Sequence, residues 1–216
     1  MPPATRTPHA PRYSLWLGGQ LGVLAYGGGM YLDDPGTQAQ ETVGNFVKPG
    51  LAVELDVGVR IERRYIPYLV GELGLVGAGR RFDGTSATAS TSFAGIGFRF
   101  LAGDVNGVSL ISDLSFGVRK FQINEGNQSW SATGLELFRV GVGVDVRLTN
   151  TFALSPLLTL SGGSLANTSG SVTYGPNQGD GVLKTPDFKG SIPGSDQSTY
   201  YAVVIGCGGH FDLFAR

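Results

Sequence analysis

Cysteine is nearly missing: Cys207 stands alone among 216 residues, so neither an internal disulfide nor a cysteine-based zinc site can form. Charge is scarce too. Asp, Glu, Lys and Arg make up 15% of the chain, against about 25% in an ordinary soluble domain. Lysine occurs only at Lys48, Lys120, Lys184 and Lys189, which is unusual for a protein whose polar face must meet water. The net charge of -1 leaves no basic excess, and this argues against nucleic acid, because neutralising phosphates needs a cationic patch. No apolar run reaches the ~18 residues of a membrane-crossing helix. Strands cross membranes without such a run, so a membrane is not excluded. Residues 1–12 hold four prolines, two arginines and His9 but no apolar stretch, so no secretory signal peptide is legible there, and an exported protein would need one removed.

What is present is glycine, 35 residues, and a strict alternation. Leu51, Val53, Leu55, Val57, Val59 and Ile61 are aliphatic, while Ala52, Glu54, Asp56, Gly58 and Arg60 fall between them. Period two over eleven residues is a β-strand with one apolar and one polar face. At about 3.3 Å per residue and a tilt of about 45° it rises roughly 25 Å, the height of the apolar band of a bacterial outer-membrane barrel.

The same pattern predicts eight strands: 13–26, 51–61, 68–79, 91–102, about 110–119, 137–148, about 152–161 and 199–213. Pro156 interrupts the seventh, which suggests a bulge. The connections alternate long and short. Residues 27–49, 82–89, 122–131 and 167–197 read as loops rich in Gly, Ser, Asn, Asp and Pro, whereas 62–64, 103–107 and 149–151 are tight. An up-and-down membrane barrel has this asymmetry, with short turns and both termini at the periplasmic rim. The expected organisation is an unstructured tail over 1–12 and one barrel over 13–214.

A lipocalin-like soluble carrier also alternates, with its apolar face inside. Here the polar face is mostly glycine (Gly18, Gly22, Gly58, Gly95, Gly97, Gly117, Gly141, Gly143, Gly206 and Gly208) broken by single charges. Small residues and a few large ions suit a confined lumen. The aliphatic face is nearly free of charge, as lipid contact demands, and backbone groups in hydrocarbon require a closed sheet. That register puts Glu54, Asp56, Glu62, Glu72, Asp113, Asp145 and Asp212 in the lumen with Arg60, Arg99, Arg119, Arg139 and Arg147. These acids and bases are expected to interlock and leave no open pore. Aromatic residues near strand ends suggest two girdles: Tyr13, Tyr65, Tyr68, Phe98, Phe100, Phe152 and Phe211 at the turn side, and Tyr26, Phe82, Phe121, Trp130 and Tyr201 at the loop side.

On these features the chain resembles the small eight-stranded outer-membrane barrels, the group of the outer membrane protein A transmembrane domain and the outer membrane protein X and W families. The resemblance spans residues 13–214 and rests on architecture. The family ends in an aromatic residue after alternating apolar positions; here Phe211 and Leu213 keep phase, whereas Phe214 is out of phase and Ala215 and Arg216 follow.

Some barrels of this size modify lipid A, and the resemblance implies that this needs His, Ser and a carboxylate near the outer leaflet. The only histidines are His9 in the tail and His210 near the turn rim, so a triad is not expected and His210 reads as part of a lumen network. Asp33, Asp34 and Asp180 lie in loops without a calcium-loop spacing. Cys207, among valines, reads as a lipid-facing residue. The function read from the sequence is a monomeric, non-enzymatic outer-membrane barrel without cofactor or metal, in contact with outer-membrane lipid and able to bind a surface ligand or protein through loops 27–49 and 167–197. The alternatives, in order, are a narrow channel or transporter for small or apolar solutes, a lipid A-modifying enzyme and a soluble carrier.

Overall fold

The computed structural model describes residues 8–34, 39–173 and 190–216. Its strands are β1 (Ser14–Asp34), β2 (Ala39–Thr42), β3 (Val47–Arg60), β4 (Tyr65–Ala78), β5 (Thr88–Gly103), β6 (Val108–Glu125), β7 (Gln128–Arg147), β8 (Phe152–Ser171), β9 (Gly190–Ser191) and β10 (Thr199–Leu213). Among the described residues, helix is confined to one turn, α1 (Val43–Phe46), and a 3-10 turn at Arg80–Phe82. β1 pairs with β10 on one side and β3 on the other, and pairing continues in order to β8, which closes onto β10. Eight antiparallel strands therefore form a sealed cylinder, with β2 added to the far end of β1 and β9 to the far end of β8.

The aliphatic face is outside. Leu51, Val53, Leu55, Val57 and Val59 are exposed, while Ala52, Glu54, Asp56 and Arg60 are buried. A soluble carrier needs the reverse, so the lipocalin-like reading is corrected by the register itself. Exposing this unbroken aliphatic wall is tolerable in hydrocarbon and not in water.

The strands run well past the apolar band on the loop side, and here the sequence reading needs several corrections. Residues 122–131 are not a loop: β6 and β7 pair through Glu125 and Gln128 around a two-residue turn, with Gly126 in the left-handed region at φ 55°. Residues 27–49 hold the end of β1, all of β2 and α1 and the start of β3. Within 167–197, β8 continues to Ser171, and 174–189 lie outside the described residues. Pro156 causes no register shift, because Leu157 still faces Gly143 and Leu154 still faces Val146. The bulge of β7 is elsewhere: Ser115 pairs with Arg139 but Gly117 with Glu136, so Leu137 and Phe138 together oppose one residue and both point outward.

The turn end is closed by the chain's own start. Residues 8–12, expected as free tail, cross the mouth: the His9 amide donates to Asn150 Oδ1 (2.8 Å), the Ala10 amide to Asn106 Oδ1 (2.9 Å), and the Arg12 amide to the Arg216 carbonyl (3.2 Å). Ala10 is buried against a cluster that includes Val105 and Leu101.

Candidate functional site

The bore is the site the sequence singled out, and its contents stack in three layers. Nearest the turns, Asp212 accepts from Arg60 Nε and Arg147 Nη2 (2.7 Å each) and from Ser14 Oγ (2.6 Å). His210 lies beside this cluster, 3.0 Å from Arg60 Nη2 and 3.4 Å from Asp145, and its ring stacks on Trp16 with centroids 3.5 Å apart. The Trp16 indole donates to Asp56. Arg99 then spans Asp113 (2.7 Å) and Asp56 (3.7 Å), and the Tyr68 hydroxyl donates to Asp113 (2.5 Å). Gly97 permits this: the Tyr68 ring lies where a Cβ would stand.

In the middle layer Arg119 bonds Glu72 (2.6 Å) and Glu136 (2.7 Å), while Arg139 bonds Glu72 (2.7 Å) and Glu54. Two arginines thus share three carboxylates, and this mutual neutralisation offsets the cost of burying the charges. Above them the polarity changes to an apolar plug. Leu24, Phe121, Trp130, Phe46 and Tyr31 fill the bore with Met30, Leu165 and Ile192. Phe46 stacks on Trp130 at 5.1 Å, which seats α1 inside the crown. A void between Trp16, Gln20, Asp56, Arg99 and His210 measures about 10 Å³, the scale of one water and not of a path.

Eleven of the twelve residues expected in the lumen are buried there; Glu62 is not. It sits in the turn that joins β3 to β4, with Glu62 and Arg63 at positive φ (49° and 65°), so the alternation ends before it. It lies outside, bound by Arg12 Nε (2.8 Å), Arg12 Nη2 (2.6 Å) and the Tyr13 hydroxyl (2.5 Å). The hydrogen bonds from Arg12 and then Tyr13 hold its carboxyl below the usual range. Glu136 takes its place in the bore, and the β7 bulge explains why simple alternation missed it. Glu41 and Arg81, paired and buried in the crown, also escaped the sequence reading because no periodic strand contained them.

The aromatic girdles divide. At the turn rim Tyr65 packs against Phe98 and Phe100, and Phe152 against Phe211, on the outer wall. Tyr68, by contrast, points inward, and on the loop side Phe82, Phe121 and Trp130 are core and only Tyr201 faces fully outward. His210 lies at the turn end, and Cys207 is exposed on the wall. Asp180 lies outside the described residues, as do the side chains of Asp33 and Asp34.

No family model and no curated protein sequence matches the chain. Solved structures do. The chain superposes on Neisserial surface protein A (NspA) with a TM-score of 0.58 at 9% identity, covering 93% of this chain and 99% of that one. It superposes on the outer membrane protein OprG from Pseudomonas aeruginosa with a TM-score of 0.54 at 13% identity, covering 97% of this chain and 100% of that one. With its aliphatic wall outward and its charges inward, the chain has the fold of the small eight-stranded outer-membrane β-barrels.

Proposed function

We propose that the protein is a sealed, non-enzymatic barrel of the bacterial outer membrane, monomeric, which presents a structured crown at the cell surface for interaction with another molecule. The observation that carries this reading is the filled bore. A strap crosses its turn end, ion pairs interlock through its middle, and an aromatic plug fills its crown. Such a cylinder offers binding energy at its outer surfaces and no route through them. Surface charges on the crown, such as Arg80 and the Lys48–Asp83 pair at 2.5 Å, are available to a partner.

The test is conductance in planar bilayers, for the native chain and for Arg139→Ala. A sealed barrel stays silent in both and loses stability in the variant. Discrete conductance steps from the native chain, or new ones from Arg139→Ala at unchanged stability, point instead to a gated conduit.

A further inference from the structure

The outward face of the crown over β5 to β8 is a regular field of small polar side chains. Its middle rung runs in register through Ser90, Gln122, Ser131 and Ser169. The rung above is Thr88, Asn124, Ser129 and Ser171, and the rung below, next to the apolar wall, is Ser92, Lys120, Thr133 and Asn167. With strands about 4.8 Å apart and rungs about 6.7 Å apart, the field measures roughly 14 Å by 13 Å. The residues between the rungs point inward and are buried, Ile123, Trp130 and Ala132 among them, so an apolar core holds the field in place.

A water-facing surface ordinarily carries about 25–35% Lys, Arg, Glu and Asp. Here Lys120, at the membrane edge of the field, is its one charged member, and every other member is Ser, Thr, Asn or Gln. Each of these both donates and accepts hydrogen bonds. Most are short, and short side chains lose little rotamer freedom when a ligand orders them. An acidic or basic partner finds almost no matching charge on this face, and a protein partner finds no Trp, Tyr or Arg to anchor it. At the β4 side, Ser90, Ser92, Lys120 and Gln122 face Leu73 and Leu75 across a pocket of about 210 Å³, which sets polar groups against an apolar wall as small-molecule sites do.

We propose that this field binds a neutral glycan from outside the cell, one sugar ring seated in the pocket and the chain continuing across the rungs. Sugar hydroxyls donate and accept as the field does and carry no charge, and the C–H face of a ring rests on Leu73 and Leu75. The spacing between strands is close to the length of one ring in an extended chain, so successive rings meet successive strands. The inference names a face and a partner for the crown, and so rests on the crown being exposed at the cell surface.

The test uses the full chain refolded in a detergent without a sugar headgroup. Maltohexaose, cellohexaose and chitohexaose are the neutral probes, a heparin hexasaccharide is the charged one, and saturation-transfer NMR with titration reads binding. At least one neutral probe is expected to bind with a Kd of about 1 mM or tighter. Ser131→Glu and Ser131→Arg, which place bulk of opposite charge at the centre of the field, are each expected to weaken it about fivefold, the scale of a lost hydrogen bond, whereas Ser131→Thr stays within about twofold. Heat-modifiable migration on gels confirms that each variant is folded, and sedimentation reports whether a second copy covers the field. The proposal is overturned if no neutral probe binds, if the heparin probe binds more tightly, if Ser131→Glu and Ser131→Arg shift affinity in opposite directions or not at all, or if the chain dimerises through Ser131. Its failure in bilayers that stay silent leaves the sealed barrel standing, whereas conductance steps from a chain that binds the glycan overturn the sealed barrel alone.

Discussion

Arg119 and Phe121 lie two residues apart on the same inward face of β6, one locked between Glu72 and Glu136 and the other at 5.0 Å from Tyr26 and 5.6 Å from Tyr200 in an aromatic cluster. Their outward neighbours change in the opposite sense, from Val118 to Lys120. Neither the strand nor its phase changes at this point, only the polarity of its two faces. Below it the cylinder is inside out, as hydrocarbon requires; above it the cylinder is a water-facing barrel with an apolar core. One set of eight strands thus serves two solvents.

Cutting the ion network should therefore cost more than removing any exposed pair. Arg119→Ala leaves Glu72 and Glu136 buried with fewer donors, and a loss of about 3–5 kcal/mol follows from stranding buried charge. The midpoint of urea unfolding in micelles reads this directly. Arg119→Met combined with Glu136→Leu removes both charges and is expected to recover part of the loss. A double variant worse than the single one would mean that the pair adds net stability beyond mutual neutralisation.

The placement of the two tryptophans gives a spectroscopic test of the register. Trp16 and Trp130 are both fully buried inside the cylinder. Brominated acyl chains should quench neither strongly, and aqueous acrylamide should also be ineffective. Strong quenching by bromolipid would place Trp130 in an outer girdle, where its sequence position alone suggested it.

Most of the membrane-embedded wall is legible in the sequence because lipid imposes a single rule there, apolar out and small or charged in. Residues 51–61 obey it without exception. The crown was missed for a physical reason. Where the polarity inverts, in residues such as Gln122, Ile123 and Asn124, the outward positions become polar and resemble a loop, although the strand continues. Glu136 was hidden by the bulge at Leu137 and Phe138, which flips the phase for the rest of β7. Neither the strap at Ala10 nor the Glu41–Arg81 pair follows from periodicity, since both depend on chain segments that meet only after the barrel closes.

The same rule predicts an asymmetry between neighbouring positions on β3. Leu55 faces hydrocarbon near the middle of the apolar band. Leu55→Arg is expected to cost about 2–4 kcal/mol in reversible unfolding from lipid vesicles, whereas Val59→Arg, close to the turn rim, should cost about 0–1 kcal/mol because its side chain reaches the interface. Equal costs at the two positions would contradict the depth assigned to the barrel.

At the turn rim, acid should loosen the strap. Glu62 accepts hydrogen bonds from Arg12 and Tyr13, and these depress its carboxyl below the unfolded value. A depressed carboxyl contributes stability that is fully present above the unfolded pKa of about 4.3 and is lost as pH falls through the lower folded value. Native protein and Glu62→Gln should therefore differ at neutral pH and converge as the medium is acidified below about pH 4. The group is fully exposed, so the difference will be small and reduced by salt. Protection of the Arg12 and Arg63 amides in hydrogen exchange is the sensitive readout, because the first donates to the Arg216 carbonyl and the second to the Arg12 carbonyl. A native profile that stays flat with acidification, or one that Glu62→Gln leaves unaltered at every pH, would show that the strap is held by its backbone and asparagine contacts without help from this carboxylate.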